Sequence, residues 1–165
     1  MSTTYTTSAS DGNSEGGIVQ YSQNSLYFGG YTFESLWRGE TNIQLLLMRI
    51  SPVDMGPQEK IVVGATGIVD FPGSLTVSDA ENAVYFGSSA CAMMTVYSCY
   101  KGHVAKVSLG TETIIWQKIA ASSDTANRFA VSNSNTYLYD SKVYSSFAYE
   151  DDTLVVIFDT TGTLL

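Results

Sequence analysis

The 165-residue chain carries eight Lys and Arg against sixteen Asp and Glu, a formal net charge of −8 that repels phosphate backbones and anionic lipid surfaces and argues against nucleic acid as a partner. Its length suits one ordinary domain with a core, above the size at which disulfides or metals become obligatory. Charged residues are only 15% while Gly numbers 14 and Tyr 11, a balance that fits short strands joined by tight turns and predicts an all-β fold.

Residues 1–16 are rich in Ser, Thr and Gly without apolar spacing and read as a flexible leader. The segment has neither a basic n-region nor an apolar h-region, so it is no secretory signal as it stands. Within it TTYTTS (3–8) has strand propensity, and an alternative use is as an outer strand for a neighbouring sheet.

From residue 17 the sequence repeats itself. The first unit, 17–66, runs through IVQYSQN (18–24), NSLYFGG (24–30), QLLLMRIS (44–51) and EKIVVGA (59–65). The second, 67–125, answers with TVSDAEN (76–82), NAVYFGS (82–88), GHVAKVSL (102–109) and TIIWQKIA (113–120). The third, 126–165, has AVSNS (130–134), about five inserted residues, KVYSSF (142–147) and TLVVIFDT (153–160), and reaches TLL where the others have a last strand. The anchors Tyr27, Tyr85 and Tyr144 lie 58 and 59 residues apart. Each unit therefore predicts a four-stranded antiparallel meander, the third incomplete. HVAKVSL alternates, placing Val104, Lys106 and Ser108 on one side and His103, Ala105, Val107 and Leu109 on the other. Runs such as LLLM and LVVIF predict strands covered on both faces. The polar pairs Gln23-Asn24, Glu81-Asn82 and Asp140-Ser141 predict turns before the Tyr strand, and DTTG (159–162) puts Gly162 where a hairpin needs positive φ.

Such a meander repeated at this spacing is what propeller blades look like in sequence. LYFGGYT (26–32), followed by a polar loop and IQLLLMRIS (43–51), resembles seven-bladed β-propeller repeats, and VAKVSLGTETIIWQK (104–118) is similar, more weakly, to quinoprotein-type propeller repeats. The resemblance covers 17–165 and implies about three blades of a larger ring, completed by remaining blades or another copy of the chain. The position 58 residues before Trp116 is Gln58, so the Trp girdle of a quinone-binding propeller is not visible. The implied function is a non-enzymatic scaffold or recognition module binding a protein or glycan, extracellular or at the cell surface, with no cofactor. The alternative is part of a propeller enzyme, a hydrolase or a quinone-dependent oxidoreductase, with catalytic groups partly in other blades.

For sites, the loop FESLWRGET (33–41) offers Trp37 and Arg38, residue types favoured at binding hot spots, and the same place in the second unit holds CAMMTVYSCY (91–100) with Tyr97 and Tyr100. Cys91 and Cys99, the two cysteines, fit either a disulfide across a local hairpin or two free thiols. His103 is the sole histidine, expected to be structural or exposed at a turn, and no G-x-S-x-G or phosphate loop accompanies it. Glu150, Asp151 and Asp152 lack the alternating spacing that wraps calcium and read as a solvated hairpin tip. No catalytic residue and no metal site is assigned.

Overall fold

The computed structural model describes residues 14–22, 24–34, 42–54, 57–63, 68–92, 98–111, 113–122, 131–149 and 151–165. Strands β1 (Ser14–Ser22), β2 (Ser25–Glu34), β3 (Asn42–Ile50) and β4 (Pro57–Val63) make sheet I. Sheet II holds β5 (Ile68–Ser78), β6 (Ala83–Ala92), β7 (Ser98–Ser108) and β8 (Thr113–Ser122); sheet III holds β9 (Val131–Tyr139), β10 (Lys142–Tyr149) and β11 (Asp152–Asp159). All three are antiparallel meanders with their strands in chain order, so the fold is all-β as composition predicts. Past β11, Leu164 bridges Phe158 and the Leu165 amide donates to the Ile157 carbonyl at 2.9 Å, on the side of sheet III where β8 lies in sheet II. No helix long and apolar enough to cross a membrane occurs among the described residues.

Turn chemistry sets the register. Ser22 pairs with Ser25 and Tyr139 with Lys142, leaving two-residue connections. Asn24 has φ 55°, and Asp140 and Ser141 have φ 47° and 56°, the left-handed backbone that matches strand twist in such hairpins. In sheet II the connection is longer, from Asp79 to Asn82, with Asn82 at φ 48° and its carbonyl accepting the Leu109 amide at 2.9 Å. That longer turn corrects the ungapped match of IVQYSQN to TVSDAEN: Val19 and Tyr21 occupy the rungs of Leu75 and Val77. A slip of two keeps every side chain on its face, which is why the match looked sound in sequence. Nor does the third unit carry an insertion before its anchor; β9 runs to the turn as one strand, with Thr136 on the rung of Val19 and Leu75. β1 itself begins at Ser14, with a register shift between Gly16 and Ile18.

The sheets stack face to face in chain order. β5 packs across β1, β2 and β3, and β9 packs in the same way across β5, β6 and β7. Tyr27 and Leu47 from sheet I meet Leu75, Val84, Phe86, Val107 and Leu109 of sheet II in one core. Tyr85, Val104 and Ala121 from the other side of sheet II meet Val131, Val143, Phe147 and Phe158 of sheet III in a second. The predicted alternation in β7 holds, since Val104 and Val107 enter different cores. Each fully buried side chain of this kind contributes roughly 1.5–3 kcal/mol, so the two interlayer cores dominate stability.

Close approach of the layers requires small residues where an inner strand crosses its neighbour. A Cβ at Gly29 would stand 2.9 Å from Leu75 Cδ2, and one at Gly87 would overlap Thr136 Oγ1 and the Asn133 amide. One expectation fails at the end of the stack. The run LVVIF in β11, predicted to be covered on both faces, buries Phe158 but leaves Val155 exposed, because among the described residues no sheet packs on that side of sheet III.

Candidate functional site

Between sheets II and III two polar clusters are built into the apolar layers. In the first, Asn133 on β9 donates its backbone amide to Ser89 Oγ at 2.8 Å and its side-chain amide to Ser145 Oγ at 3.0 Å, while its carbonyl oxygen accepts from Ser74 Oγ at 2.6 Å. Thr136 and Ser145 complete it through a 2.7 Å contact between their hydroxyls. A buried amide without partners would cost about 1–3 kcal/mol, so this network fixes how β9 seats on β5 and β6 rather than offering free groups to a ligand.

The second cluster lies near the outer edge of the same interface. Lys106 of β7 is buried with its Nζ 3.1 Å from Glu81 Oε1, 3.2 Å from the Thr160 carbonyl and 5.3 Å from the centre of the Tyr85 ring. Trp116 Nε1 donates to the same carbonyl at 3.1 Å, and its ring lies 6.0 Å from both Tyr85 and Phe158. Gly162, at φ 87° as DTTG predicts, passes beneath the Trp116 ring, where a Cβ would stand 2.8 Å from Cδ2. Asp159 ties this turn by accepting the Thr161 and Thr163 amides at 2.9 Å each. Sheet II thereby clamps the chain that leaves sheet III.

The electrostatics of the clamp are settled internally. Partial burial opposes ionisation of Glu81, but hydrogen bonds from Tyr85 and Lys106, the Lys106 charge and Ser78 outweigh it and hold its carboxyl below its usual range. Desolvation, then the hydrogen bond to Glu81 and its charge, push the Tyr85 hydroxyl well above its usual range, so it stays a protonated donor to Glu81. Asp159 is held low by the Thr161 hydroxyl and the Thr163 amide. A low carboxyl and a high phenol are the reverse of groups poised for proton transfer near neutrality. Sequence alternation had placed Lys106 on the Val104 side of β7; its ring partner and Thr160 come from registers and turns that the sequence does not display.

Of the residues singled out in sequence, Trp37, Arg38 and Tyr97 lie outside the described residues. Tyr100 lies on β7 near the end of the β6–β7 connection, and the backbone places Cys91 and Cys99 directly across the β6–β7 ladder beside a register shift. The β2–β3, β6–β7 and β10–β11 connections occupy the same place in each meander, and the last is only two residues long, since Tyr149 pairs with Asp152. That geometry makes Asp151 part of a tight exposed hairpin tip, and Glu150 lies outside the described residues. His103 is not at a turn; it is buried in mid-strand opposite Ser88, with Gln117 Nε2 3.3 Å from its Nδ1. Among the described residues no group of three His, Cys, Asp or Glu side chains converges to hold a metal. On the outer side of sheet III, Tyr137 stacks on Tyr144 with ring centres 5.3 Å apart, beside a shallow groove of about 240 Å³ that Asn135, Ser146 and Val155 complete.

No protein-family model matches the sequence, and no curated protein matches it.

Proposed function

We propose that the chain is a non-enzymatic scaffold or recognition module of β-propeller type, whose sheets are blades and whose segments 33–41 and 91–100, at the second-to-third strand connections, bind a protein or glycan. The observation that carries this reading is the division of labour within the repeat. What the units share is packing and a positive-φ residue in the turn before the Tyr strand, while the second-to-third connection differs most, from two residues in sheet III to longer, aromatic-bearing segments in sheets I and II. Variable loops at equivalent places on a repeated rigid frame are where binding residues concentrate. Trp37 and Arg38 in one loop and Tyr97 and Tyr100 in and beside the other supply side chains typical of binding hot spots.

The test is a glycan array and a protein array probed with the purified chain, then with Trp37→Ala and Tyr97→Ala. The reading expects a ligand whose signal falls about tenfold or more in each variant while melting temperature stays within about 2 °C. A signal that the variants leave unchanged, or a loss of several degrees in melting temperature, assigns these aromatics to packing and overturns it.

A further inference from the structure

The three sheets share one register, so corresponding rungs can be compared directly. On the side of each sheet that faces its predecessor, Val19, Leu75 and Thr136 are equivalent, and they are 60%, 7% and 1% exposed. On the side that faces the successor, Leu47, Val104 and Val155 are equivalent, and they are 1%, 0% and 57% exposed. Among the described residues, two faces are thus left without a covering sheet, one on sheet I and one on sheet III. They are the same two faces, in the same register, that bind each other twice inside the molecule.

We propose that the outer face of sheet III is a docking surface for a second copy of this chain, which enters with the outer face of its own sheet I. On sheet III the surface is Tyr137, Tyr144, Val155 and the groove beside them; on sheet I it is Val19 and Tyr21, flanked by the half-buried Leu26 and Phe28. The contact continues the stack already present, with β1 of the incoming copy crossing β9, β10 and β11 as β5 crosses β1, β2 and β3. It is heterologous, joining two different patches, so each copy keeps one free face of each kind until the assembly closes. Two copies bring six sheets, within the roughly four to eight of closed sheet rings.

One rung makes the new contact weaker than the internal ones. Val19 of the incoming copy replaces Leu75 or Thr136, and the residue it crosses is Ser146 where the internal contacts have Gly29 and Gly87. The serine Cβ holds the layers apart, so Ser146→Gly tightens the assembly. The inference rests on stacking alone and stands whether or not the loops bind a ligand.

Sedimentation velocity of the full chain between about 1 and 100 µM tests it. Association that rises with concentration is expected, weakened about tenfold or more by Val155→Lys and equally by Val19→Lys, and strengthened by Ser146→Gly. Mixing Val155→Lys with Val19→Lys restores association that stops at a one-to-one pair, because one partner keeps an intact sheet III face and the other an intact sheet I face. Circular dichroism confirms that both variants fold, and both changed residues are exposed in the single chain. A chain that stays monomeric throughout overturns the proposal and leaves these faces to sheets of other polypeptide. Loss in Val155→Lys alone, or no rescue on mixing, overturns the head-to-tail pairing.

Discussion

Tyr85 and Tyr144 stand on the same rung of the repeat, and little else about them is the same. Tyr85 faces Lys106, lies fully buried between sheets II and III, and donates its hydroxyl to Glu81. Tyr144 faces Ile157 and stacks on Tyr137 at a face that no other described sheet covers. The repeat therefore specifies a side chain and its orientation, but the neighbouring layer decides what that side chain is worth. Sheet II is covered on both sides and carries two polar clusters against sheet III; sheet III has the same strand order and one dry side only.

The largest test of that contrast is truncation on the shared rung. Tyr85→Ala empties a packed site between two layers and removes a donor from Glu81, and should cost about 3–5 kcal/mol in chemical denaturation. Tyr144→Ala should cost under about 1 kcal/mol in the single chain, since it loses one exposed stack. Equal losses would show that the two rungs carry equal loads and would end the comparison.

Next in size is the glycine rung. Gly87→Ala drives a methyl into Thr136 and Asn133, and Asn133 cannot retreat without breaking its bonds to Ser74, Ser89 and Ser145. The expected loss is about 2–3 kcal/mol, with faster hydrogen exchange along β9. Ser146→Ala on the equivalent rung should change stability by under about 0.5 kcal/mol. A harmless Gly87→Ala would mean that the layers slide apart easily and that the Asn133 network does not fix their spacing.

These rungs also mark what could be read without coordinates. The Tyr anchors, the polar pairs at the turns and Gly162 are local signals, because a tight turn with a positive-φ residue constrains its own backbone whatever surrounds it. The all-β class and the two sides of β7 follow from period-two alternation for the same reason. Burial of LVVIF does not, since cover on the outer side of β11 depends on a layer that the strand cannot encode. Asn133 was equally opaque: a polar residue in a strand usually faces water, and only the crossing of β9 over Gly87 turns it into the centre of a buried network. For His103 the sequence left open a structural role or exposure at a turn, and the structure has the first, because β7 continues through Gly102 and carries it into the buried middle of the strand.

The smallest effect concerns the clamp, which joins sheet II to the end of sheet III, whereas on the equivalent rung of sheet I Arg49 donates to Ser25 Oγ at 3.1 Å within one sheet. Glu81 sits below its ordinary value of 4.5 in the folded chain. Its contribution is therefore complete above that value, where folded and unfolded forms are both ionised, and is lost as pH falls through the lower folded value, because the unfolded chain takes up the proton first. The carboxyl is partly exposed, so solvent screening limits the effect to about 1 kcal/mol or less. Trp116 reports on it directly, being bonded to the Thr160 carbonyl that Lys106 also holds. In a Trp37→Phe background, Trp116 emission should shift to the red as pH drops below 4.5, and Glu81→Gln should flatten that curve and leave only the part that belongs to Asp159. An unchanged curve in Glu81→Gln would assign the acid response to Asp159 and its turn, and the ion pair would then be an ornament of the interface between sheets II and III rather than part of what holds it.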